Sequence, residues 1–136
     1  MLHPIPPGLW CGPSALVAIT GDDFQSVIHP ALNRHMRARS LIGMVVESTL
    51  PAMIAVLEER GWTVRRYKHG SHRISTWANL SKNKYPNRIL FVCTKEHAMV
   101  VENGRVYDSW TPHGELGEKH PFKNDISVCC YLVSKD

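Results

Sequence analysis

Three residues that lie far apart in the chain have the types needed for nucleophilic catalysis: Cys11, His97 and Asp108. In such chemistry a thiolate attacks a carbonyl carbon and an imidazole carries the proton. A carboxylate fixes the tautomer and the orientation of that imidazole. The three side chains must meet in space, so the first question is which elements of secondary structure would position them.

Cys11 stands where a loop is predicted to become a helix. Pro13 suits the first helical turn, because the N–H that proline lacks has no partner there. Residues 14–20 are almost wholly apolar and Gly21 can end them in a left-handed conformation, so we expect a buried helix. The free N–H groups and the dipole at its start favour a thiolate and offer donors to an oxyanion. The alternative is a buried structural cysteine, a common role for this residue.

A β-hairpin over residues 97–110 is predicted to bring the histidine and the aspartate together. Asn103-Gly104 is a strong two-residue turn signal between apolar strands. His97 and Asp108 then become diagonal neighbours on one face, about 7–8 Å apart along the backbone and close enough for side-chain contact. Taken singly, each residue is more often a polar residue at a strand end. The register pairs Glu102 with Arg105, Met99 with Asp108, and His97 with Trp110.

The rest of the pattern predicts an α+β fold, with helices first and a mostly antiparallel sheet afterwards. Thr49 or Ser48 is the expected N-cap of a helix with a buried apolar stripe, which Gly61 ends. The other predicted elements are a helical segment from Phe24 to Leu32 capped by Asp22 or Asp23 and divided near Pro30, exposed basic residues at 34–40, a strand at 62–67, a helix at 75–82 with Trp77 and Leu80 inward, a buried strand at 89–93, a polar loop at 112–124 and a last strand at 126–133.

Length and composition limit the possible classes of protein. The 136 residues suit a single domain, 1–136, and a net charge of +4 permits anionic partners without requiring them. The first residues have no signal-peptide pattern and no stretch is apolar enough to span a bilayer, so we expect a cytoplasmic protein. The four cysteines lack the spacing of a disulfide scaffold, which indicates free thiols.

Three short motifs carry a resemblance to a known family. Residues 11–16, Cys-Gly-Pro-Ser-Ala-Leu, are followed by His-Ala-Met-Val-Val at 97–101 and by Val-Tyr-Asp-Ser at 106–109. In this order they resemble the papain-like cysteine peptidase superfamily, most closely its bacteriocin-leader-processing (double-glycine) branch with bacterial and phage relatives. The resemblance implies N-terminal helices packed on an antiparallel sheet. It makes Cys11 the nucleophile, His97 the general base and acid, and Asp108 the orienting group.

The sequence departs from that branch at the oxyanion hole. A glutamine usually stands six residues before the cysteine, and Ile5 occupies that place here. His3 or the indole N–H of Trp10 is the candidate replacement, since loss of one oxyanion donor typically costs about 2.7–4 kcal/mol. Trp10 and Trp110 are also candidate walls for a substrate, and Trp110 either shields the imidazole from water or packs in the core.

These expectations together predict a cysteine peptidase or a related acyl-transfer hydrolase. Its substrate would be a peptide or protein, cleaved at an amide, isopeptide or thioester bond, and the chemistry needs neither a metal nor a cofactor.

Three other functions compete with this interpretation. The same fold can serve as a catalytically inactive interaction module, for instance a phage protein that binds a host factor. A zinc site could draw on His69 with His72, on Cys93 with His97, or on Cys129-Cys130, but none has the repeated spacing of a structural zinc motif. A nucleic-acid surface, which we do not expect, would use basic residues interleaved with aromatic ones: Arg65, Arg66, Lys68, Arg73, Lys82 and Lys84, with Tyr67, Trp77 and Tyr85.

Overall fold

The fold is α+β, as predicted, with helices packed on both faces of an antiparallel sheet. The computed structural model describes residues 2–38 and 46–135. Within these ranges the sheet has six strands in the order β1-β6-β2-β3-β4-β5, and every pair of neighbours is antiparallel. The elements, in chain order, are α1 (Cys11–Thr20), α2 (His29–Ala38), α3 (Val46–Glu59), β1 (Trp62–Arg66), α4 (Ile74–Asn83), β2 (Ile89–Cys93), β3 (Ala98–Glu102), β4 (Arg105–Tyr107), β5 (Glu115–Leu116) and β6 (Cys129–Lys135).

The first helix, α1, has the predicted bounds and burial. It begins at Cys11 with Pro13 in its first turn, and all residues from Gly12 to Ile19 are buried. Gly21 ends it with φ 72°, and its N–H donates to the carbonyl of Val17. A left-handed conformation has little steric cost only for glycine, so the helix ends where the sequence predicts.

The segment that follows α1 is divided as predicted. Asp23 caps it by accepting a 2.9 Å hydrogen bond from the Ser26 N–H. A π-helical turn, Phe24–Ile28, then gives way to α2 one residue before Pro30. Proline supplies no N–H and its ring crowds the carbonyl four residues earlier, which favours a wider turn at this point. Arg34 and Arg37 are exposed, as expected for this basic stretch, and residues 39 and 40 lie outside the described ranges.

Helix α3 corrects one prediction about its start. Ser48 and Thr49 were the expected N-caps, yet the described helix already begins at Val46 and contains both. Cap preference is a local signal, and the rest of the fold can override it. The rest of the prediction is confirmed, because the apolar stripe is buried and Gly61 follows the helix with φ 91°. The buried stripe comprises Ala52, Met53, Val56 and Leu57.

The central strands separate two apolar cores. Residues of β2 and β3 alternate between them, and all ten are buried, as predicted for the run at 89–93. One core lies under α1, α2 and α3, and it includes Phe91, Cys93 and Val100. The other lies under α4, where Trp77 is fully buried and Leu80 packs at the margin. Because α1 packs against β3, the start of α1 lies near the start of the central hairpin.

The C-terminal part of the chain corrects two predictions. The expected loop at 112–124 contains strand β5, which pairs with β4, and a 3-10 turn, Gly117–Lys119. The Gly117 N–H donates to the Gly104 carbonyl, and a Cβ on Gly117 would come within 2.2 Å of the Ala78 Cβ. Contacts between distant residues therefore hold this segment against α4, and no local sequence pattern predicts them. The last strand was expected at 126–133 but runs from Cys129 to Lys135, and Ile126 forms only an isolated bridge with Arg73.

No helix in the two described ranges combines the length and the apolar character that crossing a membrane requires.

Candidate active site

The Cys11 thiol lies at the first residue of α1, where the helix meets β3. The preceding residue, Trp10, has extended backbone dihedrals and makes no side-chain cap, so its side chain does not compete for the N–H groups of the first turn. The backbone N–H groups of Gly12 and Ala98 and the side chain of His97 lie near the sulfur, where each of them lowers the pKa of the thiol. The helix start and the sheet thus meet at the sulfur atom.

The hairpin brings His97 and Asp108 into direct contact. The His97 Nε2–H donates to Asp108 Oδ2 over 2.8 Å. Asn103 and Gly104 form the turn with φ values of 50° and 83°, as a two-residue hairpin turn requires. Since Nε2 is engaged by the carboxylate, Nδ1 is the ring nitrogen left to face the Cys11 sulfur. Cysteine, histidine and aspartate therefore form one continuous array, drawn from α1, the start of β3 and the end of β4.

The predicted register holds only as far as the end of β4. Glu102 faces Arg105 as expected, but β4 ends at Tyr107. The expected pairs of Met99 with Asp108 and of His97 with Trp110 are wrong, because the chain turns at residues 108–111. The contact between His97 and the carboxylate forms through the side chains instead.

A side-chain turn at Asp108 explains why the strand ends there. Its Oδ1 accepts hydrogen bonds from the Trp110 N–H at 3.0 Å, the Thr111 N–H at 2.7 Å and the Thr111 hydroxyl at 2.7 Å. Aspartate often closes turns in this way, in competition with strand pairing. The carboxylate is fully buried. Oδ1 accepts the hydrogen bonds of the turn and Oδ2 faces the His97 imidazole, so contacts at both oxygens fix the orientation of the carboxylate.

A second histidine, which the sequence analysis missed, completes the surroundings of Asp108. The His120 Nε2–H donates to the same Oδ2 atom over 2.9 Å, and the side chain is fully buried. Its Nδ1 accepts a 3.0 Å hydrogen bond from the Phe122 N–H, which fixes the neutral Nε2–H tautomer. No spacing in the sequence signals this contact, because it depends on the path of residues 112–119.

The electrostatics of the array favour a thiolate and an imidazolium. Burial alone would lower the pKa of His97, but the hydrogen bonds with Asp108 and Cys11 raise it to about 9. Burial alone would raise the pKa of Cys11, yet the contacts with His97 and with the two backbone N–H groups bring it below its ordinary value of 9.0. Burial opposes ionisation of Asp108 too, while hydrogen bonds from His120, His97 and Thr111 hold its pKa well below the usual range of a carboxyl group.

The other cysteines behave differently from Cys11. All four thiols are free, as predicted, and the other three are buried in the sheet. Cys93 lies opposite Cys129 on β6, and their hydrogen bond together with burial raises the pKa of Cys93 well above its ordinary value. Burial likewise raises the pKa of Cys130. Among Cys11, Cys93 and Cys130, an anionic thiol near neutral pH is therefore expected only at Cys11.

The structure separates one candidate oxyanion donor from the site and leaves another beside it. The His3 ring packs against Gly21, at the opposite end of α1 from Cys11, roughly 15 Å away along a ten-residue helix. The proposed role of His3 as a donor is therefore wrong. Trp10 is adjacent to Cys11 and exposed, and Ile5 is buried in the apolar core. The backbone N–H of Cys11 itself belongs to the unpaired donors of a helix start.

Trp110 does not pack in the core. It is 68% exposed and packs edge-on against Phe122, with ring centroids 6.1 Å apart. Phe122 is the aromatic ring that contacts His97, at 5.2 Å between centroids. The expectation that Trp110 packs in the core is wrong, and the sequence analysis overlooked Phe122.

The structure bears on the two competing kinds of site. Among the described residues, no group of three or more His, Cys, Asp or Glu side chains is arranged to hold a metal ion. The basic residues of the predicted nucleic-acid surface are exposed, but the largest aromatic residue of that set is not accessible to bases. Trp77 is fully buried, and the hydroxyl groups of Tyr67 and Tyr85 bond to each other at 2.8 Å.

Comparison with known proteins gives no match to this chain among family models, curated proteins or solved structures.

Proposed function

We propose that this protein is a papain-like cysteine hydrolase that cleaves an acyl bond in a peptide or protein substrate, with Cys11 as nucleophile. The observation that carries the proposal is the continuous array of thiol, imidazole and buried carboxylate, supplied by three separate elements. A structural cysteine needs no such partners, and burial alone would leave its thiol protonated. The resemblance of the three short motifs to papain-like peptidases points to the same roles.

In the proposed reaction, the Cys11 thiolate attacks the carbonyl carbon and forms a tetrahedral intermediate. The Cys11 N–H, at the helix start, stabilises the oxyanion. Collapse breaks the bond to the leaving group, which takes the proton from the His97 imidazolium, and leaves a thioester on Cys11. Neutral His97 then removes a proton from water, which attacks the thioester and releases the acid. Asp108 keeps the imidazole oriented throughout.

A reducing, cytoplasmic location suits this proposal, because a nucleophilic thiol and three further free thiols persist there without forming disulfides. The substrate class extends to isopeptides and thioesters, since the same steps apply to each carbonyl.

A catalytically inactive interaction module is the second candidate, and Ile5 favours it. An apolar core residue stands where the resembling branch places an oxyanion donor. With the Cys11 N–H as the remaining backbone donor, transition-state stabilisation would be weaker by about 2.7–4 kcal/mol.

Alkylation by iodoacetamide from pH 5 to pH 9, followed by peptide mapping, tests the proposal. We expect Cys11 to react well below pH 8 and much faster than the other cysteines, because its thiolate fraction is larger. His97→Ala should move the alkylation of Cys11 to higher pH, because the imidazolium no longer stabilises the thiolate, whereas the matched control Cys130→Ala should leave the pH dependence of Cys11 unchanged. Equal labelling of all four thiols at every pH would overturn the proposal. Selective alkylation without acylation of Cys11 by p-nitrophenyl acetate would instead support the inactive module.

A further inference from the structure

A groove of about 780 Å³ opens beside the candidate active site. In the described part of the chain its wall includes His97 but not Cys11. Its size is within the range of pockets that bind small molecules or single side chains of a larger ligand. The groove therefore adjoins the proton-carrying side of the array.

Large apolar side chains form much of the wall of this groove. Trp110 is 68% exposed, Ile126 59% and Val128 40%, and all three line it together with Phe122. Exposed apolar residues that cluster around a concavity mark binding sites more often than exposed apolar residues scattered singly. Trp10, which precedes Cys11, is the other large apolar residue with high exposure in the described ranges.

The wall is held in place by backbone contacts. The Val128 N–H donates to the Cys93 carbonyl over 2.8 Å, and Ile126 bridges Arg73. The Trp110 N–H is bound by the Asp108 carboxylate, so the turn that carries Trp110 also orients His97. The same segments therefore carry the apolar wall and the catalytic array. Because backbone hydrogen bonds hold the wall, it needs no rearrangement to bind a ligand.

The chemistry decides which part of a substrate faces this wall. Cys11 bonds to the acyl carbon, whereas the leaving group takes its proton from His97 and so departs on the histidine side. The rim also carries charged residues, Lys95, Glu96 and Asp125, with both signs present. One cation and two carboxylates form no patch of a single sign, so the apolar wall is the more selective feature.

We propose that this groove binds the leaving-group portion of the substrate and selects a bulky apolar side chain, aromatic or branched aliphatic, next to the scissile bond. This inference rests on the proposed function and names the substrate class of the same site.

Acyl transfer to amines tests the groove, because the acceptor in the transfer occupies the site that the leaving group vacates. p-Nitrophenyl acetate acetylates Cys11 and releases p-nitrophenolate as a burst. Phenylalaninamide or glycinamide at equal concentration then competes with water for the thioester. The amine nitrogen attacks the carbonyl carbon, the C–S bond breaks, and His97 takes the amine proton. We expect phenylalaninamide to capture a share of the acetyl groups roughly tenfold larger than glycinamide does.

The partition between amide and acetate is normalised to the acyl-enzyme formed, so it is independent of the rate of acylation. Trp110→Ala and Ile126→Ser should each reduce the preference for phenylalaninamide at least threefold, while Ile126→Val should retain most of it. Lys82→Ala, at the end of α4 beside the Gly104 turn and outside the groove lining, is the control and should leave the partition unchanged.

The outcomes separate the two proposals. No burst with wild-type protein would overturn the proposed function and this inference with it. A burst followed by equal capture of both amines would overturn this inference while the proposed function stands. A preference that survives both Trp110→Ala and Ile126→Ser would also overturn it, because the selective site would then lie elsewhere.

Discussion

The Asp108 carboxylate and the His120 imidazole are joined by a 2.9 Å hydrogen bond between two fully buried side chains, on the same oxygen that receives the His97 N–H. One carboxylate oxygen thus accepts two imidazole donors, while the other oxygen is occupied by the turn at Trp110 and Thr111. His120 touches no reacting atom. Its role is to stabilise and position the group that orients the candidate general base.

Replacement of His120 tests this positioning role. His120→Leu removes the donor and leaves Oδ2 of a buried carboxylate short of one hydrogen bond, so we expect a loss of about 1–3 kcal/mol in the free energy of unfolding at pH 6.5. His120→Gln places an amide N–H near the same position and should lose much less. Urea unfolding followed by circular dichroism measures both.

The pH dependence distinguishes this role from simple packing. The pKa of Asp108 is held below its unfolded value of 3.8, so its contribution to stability is present above pH 3.8 and is lost as the pH falls through the folded pKa. The difference in the free energy of unfolding between wild type and His120→Leu should therefore narrow in strong acid. A difference that keeps the same size down to the lowest pH at which both proteins still fold would mean that His120 only fills space.

A second prediction concerns His97, whose pKa is raised from 6.5 to about 9 in the folded protein. Its contribution to stability is therefore fully present below pH 6.5 and is lost as the pH rises towards 9. The lowered pKa of Cys11 has the opposite effect over the same interval, so Cys11→Ser serves as the reference protein. We expect Cys11→Ser to lose stability between pH 6.5 and pH 9.

Addition of Asp108→Asn to this reference should remove the loss. Without the carboxylate, burial dominates and the pKa of His97 falls below 6.5, so the imidazole is neutral across the whole interval. Urea unfolding of both variants at pH 6.5, 7.5 and 9 measures how the free energy of unfolding changes with pH. Groups that titrate elsewhere in the chain affect both variants equally, so their contributions cancel in the comparison. An equal loss of stability with rising pH in the two variants would show that Asp108 does not control the charge of His97.

A third prediction concerns Ser127, which fixes the chain just before β6. Its hydroxyl accepts hydrogen bonds from the indole N–H of buried Trp77 at 2.8 Å and from the His72 N–H at 3.1 Å. Ser127→Ala leaves the indole N–H without this partner in the core, so we expect a loss of about 1–3 kcal/mol in the free energy of unfolding. Ser127→Thr keeps a hydroxyl and is the matched control. Thermal unfolding that is unchanged in Ser127→Ala would contradict this prediction.

The elements that could be predicted from the sequence are those specified by neighbouring residues. Gly21 ends α1, and Asn103-Gly104 set the hairpin that brings His97 to Asp108. This contact spans only eleven residues, so a turn type and a strand period suffice to place it. The early end of β4 could also have been predicted from the sequence, because Asp108 with Thr111 three residues later is a typical pattern of a side-chain turn.

What could not be predicted depends on contacts between distant segments. His120 reaches Asp108 because the loop before it is held by β5 and by the close approach of Gly117 to Ala78 on α4. Neither contact leaves a periodic pattern. The groove beside His97 has the same origin, since its wall combines Trp110 with residues 126–128, which were expected to be the start of a regular strand.

The last prediction concerns Ser14, whose hydroxyl is buried in the first turns of α1 and makes no hydrogen bond in the part of the chain that is described. A buried hydroxyl without a partner is destabilising, and alanine is also the better helix former. We therefore expect Ser14→Ala to raise the free energy of unfolding by about 1 kcal/mol. Ser81 is the matched control, since it is an equally buried helical serine whose hydroxyl donates to the Ala78 carbonyl at 2.7 Å and accepts from the Gly104 N–H at 2.9 Å. Ser81→Ala should lower stability by a similar amount, and urea unfolding of the two variants must give opposite signs, because the hydrogen-bonding of the hydroxyl, rather than its burial, decides the effect.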